Sequence, residues 1–189
     1  KNWFNINLKS LLEREFNLPV YLENNVNSIA LGLKWVDYDG EMDNMVLLAI
    51  RSGVKIAIVN NNELIKGKNG LAGEIGKLST TINNYPISFE KALSLVEIER
   101  QIVEAKDEFQ FKGIDLEEEL SVVEKINKGY QKKDKDCITL YNRLIDVIAS
   151  LVYTIDLILN PKKIVIASEY CILDAFDFYL QNKIKQKYE

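Results

Sequence analysis

Histidine is absent from these 189 residues, and cysteine and proline are scarce, at two and three. A structural zinc site takes about four Cys or His ligands. Cys137 and Cys171 cannot furnish one, so no metal is expected. The two cysteines also lack motif spacing, which fits a reducing cytoplasm better than a disulfide framework. Long apolar runs are missing too. No uninterrupted span approaches the ~20 residues that a membrane helix needs, and Lys1-Asn2-Trp3 does not open a signal peptide. There is no internal repeat and no low-complexity segment. Positive charge is not in excess: 24 Lys and Arg face 28 Asp and Glu, for a net charge of −4. Nucleic-acid phosphates attract a basic face, so this segment is not expected to grip DNA itself.

What is present suits a folded domain. Hydrophobic residues make up 47% and charged residues 28%, enough for a sizeable core and far from a disordered composition. Apolar spacing predicts amphipathic helices over Asn7 to Phe16 and Asn27 to Val36. Leu18 to Leu22, Met45 to Ile50, Lys55 to Val59 and Glu63 to Ile65 read as strands. Asn60-Asn61-Asn62 reads as a hairpin turn, because Asn tolerates positive φ. Further helices are expected over Ser88 to Ala105, Leu116 to Gly129, Asp134 to Leu159 and Cys171 to Lys187, with a buried strand at Ile164 to Ile166. The helix from Asp134 is apolar nearly all round toward its end, as a central helix should be, and Pro161 stops it. Both cysteines read as buried small hydrophobes. Strands flanked by helices give an α/β domain, helices packed on a mixed sheet.

Three stretches carry the functional signal. Gly67 to Lys77 packs four glycines and Glu74 into one turn-rich segment. Pro19 to Gly32 holds Glu23-Asn24-Asn25 ahead of a helix. Met45 to Asn60 holds a hydrophobic strand, the turn Arg51-Ser52-Gly53 and a second strand. In this order they resemble the ROK family of bacterial sugar kinases and sugar-responsive repressors, over about three quarters of the chain, from Pro19 to roughly Ala167. The resemblance implies the actin-like (ribonuclease H-like) ATPase fold, mainly its second lobe, with residues 1–189 as one sugar-binding and dimerisation domain. It also implies that the N-terminal lobe and any DNA-binding domain lie outside this chain, which does not begin with Met.

The pattern departs from the family in four places. Asn25 stands where the kinases carry the Asp that takes the proton from the attacking sugar hydroxyl. An amide does not take up a proton near neutral pH. The phosphate loop G-T-G-x-G-x-G is reduced to Gly53, with Val54 and Ile56 beside it. Ala167-Ser168-Glu169 replaces the glycines of the adenine loop, and Glu169 brings a carboxylate toward an anionic nucleotide. The zinc motif is missing altogether.

A polar site survives these losses. Carried over residue by residue, the sugar-binding positions are Asn24, Asn25, Glu74, Lys77 and Glu90, with Lys77 where the family has His. No catalytic residue, cofactor or metal is expected. Each candidate also has a plainer reading. One of Asn24, Asn25 and Asn27 caps a helix; Glu74 is a charged turn residue; Glu90 complements a helix dipole; Lys77 is a solvated lysine or pairs with Glu74 or Glu90; Arg51 and Lys55 are surface charges or attract an anion.

Together these point to the effector-sensing and dimerisation part of a transcriptional regulator, in the cytoplasm and without kinase activity. A sugar is the expected small-molecule partner, a homodimer the expected assembly, and DNA a partner only through a domain outside this chain. Trp35, Tyr38, Phe109 and Phe111 are the aromatics that such an assembly, or the core, could use. A scaffold that has lost ligand binding and a divergent ATP-dependent sugar kinase are the alternatives.

Overall fold

The computed structural model describes residues 6–37, 39–104 and 118–189. At its centre is a mixed sheet ordered β3-β2-β1-β6. Its strands are β1 (Met45–Ile50), β2 (Val54–Asn60), β3 (Glu63–Leu64) and β6 (Lys163–Ser168). β1 runs antiparallel to β2, from Met45 opposite Val59 to Ile50 opposite Val54. It runs parallel to β6, from Met45 opposite Lys163 to Ile50 opposite Ser168.

β1 is apolar at every position because both of its faces are covered. Helix α2 (Asn25–Trp35) covers one face, packing Val26 and Ala30 on Met45, Leu47, Ala49, Ala57 and Val59. The other face, with Val46, Leu48, Ile50 and Ile56, meets the long helix α6 (Lys135–Leu159) through Leu144, Ile148 and their neighbours. Asp134 caps α6, its side chain accepting from the N–H groups of Asp136 and Cys137, each at 3.0 Å. Asn160 ends it in the left-handed region, just before Pro161. Outside α6 lie α4 (Leu95–Glu104), α5 (Val122–Gln131) and α7 (Phe176–Tyr188), while α1 (Leu8–Phe16) buries no residue of its own. No helix among the described residues is long and apolar enough to cross a membrane.

Several expected elements are corrected. Leu18 to Leu22 is not a strand, since the segment has no neighbouring strand to pair with among the described residues. The helix expected from Ser88 is two: α3 (Phe89–Leu93) and α4 are separated by an extended Ser94. The break frees the Leu95 N–H to donate to the Arg51 carbonyl at 2.8 Å, tying α4 to the β1–β2 turn. The segment after Leu78, to which no element was assigned from sequence, is a hairpin of β4 (Ser79–Ile82) and β5 (Tyr85–Ser88). Helix α5 starts at Val122, where Ser121 and Glu124 form a capping box, and not at Leu116. Residues 116 and 117, like Tyr38, Phe109 and Phe111, lie outside the described residues.

β6 is half-buried, not buried, because β1 is its one neighbour among the described strands. Cys171 is exposed in a 3-10 turn, Glu169–Ile172, that delays α7 to Phe176. Cys137 is buried, and burial pushes its thiol up to about 12.

Candidate functional site

The glycine-rich segment is held on β2 by contacts that no side chain could share. Gly73 has φ +88°, and a Cβ there would stand 1.9 Å from the Ile56 carbonyl oxygen. Its own carbonyl accepts from the Ile56 N–H at 2.9 Å. At Gly76 a Cβ would meet the Val54 carbonyl oxygen at 2.4 Å. The loop therefore presses its backbone on β2 at Gly73 and then turns into a short 3-10 helix, Ile75–Lys77. Ile75 is buried in the α6-side core, while Glu74 reaches Lys55. Strand alternation places Lys55 on the same face as Ala57 and Val59, the face that α2 covers.

The direction of α2 decides where Asn24 and Asn25 fall. Near its C-terminus, Lys34 bonds the Asn62 carbonyl, beyond the far end of β2. Ten residues of helix rise about 15 Å, most of the roughly 20 Å that the seven residues of β2 span at about 3.3 Å per residue. So the N-terminus of α2 lies at the Lys55 end. An ion pair between Glu23 and Lys66 fixes that end to the start of the glycine-rich segment. The site is thus an open shelf at the carboxyl end of β1, made by four pieces: the start of α2, the β1–β2 turn, the Gly73–Lys77 loop and the start of α3.

On this shelf Glu74 is the hub. Its carboxylate takes Lys55 at 2.5 Å and Lys77 at 3.4 Å. These partners, Lys55 first, hold its carboxyl below the usual carboxylate range, against a burial effect that pushes the other way. Glu90 sits in the first turn of α3, which Ser88 caps. Its carboxylate oxygen lies 3.5 Å from where a Cβ on Gly53 would stand and 3.2 Å from one on Gly76. These two glycines leave the room that Glu90 occupies.

Asn24 turns out to be the α2 N-cap, its side-chain oxygen accepting from the Val26 N–H at 2.9 Å. The helix begins at Asn25 and not Asn27. The Asn25 oxygen meets the same Val26 N–H at 2.9 Å. Among the described residues neither Asn makes a side-chain hydrogen bond to Glu74, Lys77 or Glu90, so the five candidates form a paired cluster and a separate cap at the same end. In the β1–β2 turn the Arg51 N–H is spent on the Gly53 carbonyl at 2.9 Å. It is not free to meet a phosphate.

Sequence reasoning missed Glu23. Its carboxylate accepts from Asn27 and from the Asn24 N–H, each at 2.9 Å, and pairs with Lys66. The Asn27 bond, then Lys66, hold its carboxyl at about 2. The i, i+4 spacing of Glu23 and Asn27 across a helix start was the available signal. Also unforeseen is a cavity of about 760 Å³ between α4, α6 and the β4–β5 hairpin, lined by Gln101, Arg143, Thr139 and Asn83 among others. None of the five candidates lines it. Arg143 is partly sunk there, donating to the Gln101 side-chain oxygen at 2.9 Å while its Nε has no partner among the described residues, and burial lowers its pKa.

Among known proteins, the family model described as ROK family matches residues 1–189. A xylose repressor from Caldicellulosiruptor bescii is 41% identical over 81 residues, covering 43% of this chain and 20% of the repressor. Of solved structures, a ROK family transcriptional regulator, a homologue of the E. coli MLC protein, superposes with TM-score 0.76 at 19% identity, covering 95% of this chain and 47% of that one. A ROK hexokinase from Thermus thermophilus gives TM-score 0.75 at 18% identity, covering 94% and 59%. The chain therefore spans only part of the proteins that it matches. The fold is the α/β, actin-like (ribonuclease H-like) one expected from sequence, with helices on a mixed sheet. From end to end, this chain belongs to the ROK family.

Proposed function

We propose that this chain is the sugar-sensing effector and dimerisation part of a ROK-type transcriptional regulator without kinase activity. The carrying observation is Asn25, an amide where the kinases need a base, its oxygen already engaged by the Val26 N–H. The spent N–H of Arg51 in the β1–β2 turn adds to it. Likeness to a xylose repressor and to a ROK regulator structure supports the regulatory branch.

In this reading Asn24, Asn25, Glu74, Lys77 and Glu90 hold sugar hydroxyls. The bound sugar shifts the closure of two lobes and so the spacing of attached DNA-binding domains. The whole protein works as a homodimer in the cytoplasm, touching DNA through an N-terminal domain. Residues 1–189 supply one domain, mostly the second lobe.

A thermal-shift screen of the full-length protein against monosaccharides, sugar phosphates and ATP with magnesium tests it. A ligand that binds only the folded form raises the melting temperature by mass action. A shift with one sugar and none with ATP is expected. A shift with ATP, with sugar-dependent turnover, would return the kinase to first place, in line with the hexokinase likeness. The Lys55–Glu74–Lys77 cluster favours a second reading, because lysines that occupy Glu74 fill the site themselves. Absence of any shift would favour that scaffold.

A further inference from the structure

The cavity between α4, α6 and the β4–β5 hairpin is about 760 Å³ in volume, within the ~300–1,000 Å³ of small-molecule sites. Its walls are of two kinds. Ile82, Ile102, Leu140 and Val147 supply apolar surface, and half-buried Arg143 supplies a guanidinium. Among the described residues, the single hydrogen bond of that guanidinium goes to the Gln101 side-chain oxygen at 2.9 Å, and its Nε is buried without a partner. Gln101 is itself fixed, donating to the Lys91 carbonyl at 2.9 Å, so it offers Arg143 a neutral oxygen and no charge. The carboxylates around the cavity do not supply one either. Glu104 pairs with Arg100 at 2.5 Å and Asp146 with Lys183 at 2.8 Å. Burial lowers the Arg143 pKa, and no carboxylate offsets that effect. A cation sunk without a counter-charge is costly, and a buried charged donor without an acceptor adds to the cost.

We propose that this cavity is a second ligand site and takes a small monocarboxylate with an apolar body, its carboxylate on Arg143 and its body against Ile82, Ile102, Leu140 and Val147. A planar carboxylate matches the fork of a guanidinium. One negative charge is balanced by Arg143. A second, as on a phosphate, would stand among Glu104, Asp136 and Asp146, with Arg100 already shared between Glu97 and Glu104. The proposal does not depend on the sugar-sensing reading, because none of the candidate sugar residues lines the cavity.

Isothermal titration calorimetry on the full-length protein tests it, with benzoate, phenylacetate and hexanoate, their neutral amides, acetate and inorganic phosphate. At least one of the three larger carboxylates is expected to bind about 10-fold or more tightly than its amide, the difference between a charged and a neutral hydrogen-bond partner. It should also bind more tightly than acetate, which has no body to bury, and than phosphate. Arg143→Met removes the unpaired ion and keeps the length of the side chain, so the fold is retained, checked by thermal unfolding. It is expected to abolish the preference for carboxylate over amide. Thr139→Trp, at an exposed position on the cavity wall, fills the space and is expected to weaken carboxylate and amide alike several-fold.

Amides binding as tightly as their carboxylates overturn the proposal. So does phosphate binding best, or absence of binding by every carboxylate. A carboxylate preference that survives Arg143→Met, or binding that Thr139→Trp leaves untouched, puts the ligand elsewhere and overturns it too.

Discussion

At Gly73 the cost of a single methyl group is set by two facts together. The residue has φ +88°, and a Cβ would stand 1.9 Å from the Ile56 carbonyl oxygen. Gly73→Ala is expected to lose at least about 2 kcal/mol in urea unfolding, from backbone strain before any clash is counted. Gly70→Ala, at φ +68° with nothing within 4 Å, should lose only the conformational part, about 1 kcal/mol. Gly32→Ala, inside α2 with open space around it, should gain about 0.5–1 kcal/mol. The order of these three tests whether close approach, and not glycine content, defines the loop. Glu23 makes a pH prediction. Its folded pKa of about 2 lies below the ordinary 4.5. Its contribution is therefore complete above pH 4.5 and is lost as pH falls toward 2. Glu23→Gln should flatten the fall of stability across that window, read by urea titrations at stepped pH.

Single elements were legible where the signal was local. Asp134 opens α6 and Asn160-Pro161 closes it, each by chemistry confined to one turn. The break at Ser94 was not legible, because it goes with a hydrogen bond from the Leu95 N–H to the carbonyl of Arg51, far away in the chain yet adjacent in space. Leu18 to Leu22 has strand composition without a strand partner, and partners are a tertiary matter. Cys171 misled for a similar reason: its apolar neighbours follow helical spacing, while Ala175, at φ 54°, starts α7 afresh. The capping box of α5 makes the element-scale prediction. Ser121→Ala and Glu124→Ala should each cost about 1 kcal/mol in thermal unfolding. The pair should cost less than the sum, since each removes half of one reciprocal contact.

Across the whole molecule, β1 lies between two helical layers and is paired on both edges, so its amides leave the folded state last. Leu47 and Leu48 should show the slowest hydrogen exchange, and the described part of α1, which buries nothing, the fastest among the helices. The same arrangement explains how far the candidate site could be read beforehand. Glu74 and Glu90 were named from the resemblance to the ROK family, and the structure sets Glu90 against the glycine-rich loop that carries Glu74. Their relation to Asn24 and Asn25 depends on α2 lying parallel to β2, held by Lys34 on Asn62 and Lys66 on Glu23. No spacing within the chain encodes that direction.

The seam between the glycine-rich loop and β2 also constrains how this shelf can change over generations. Positions 73 and 76 tolerate no side chain, whereas 74 and 77, whose side chains reach the shelf, do. Mutation can therefore rewrite the charge offered to a ligand without moving the backbone that offers it. In the proposed sugar-sensing reading, new ligand preferences lie one substitution apart on an unchanged frame, at Lys77, Glu74 or Lys55.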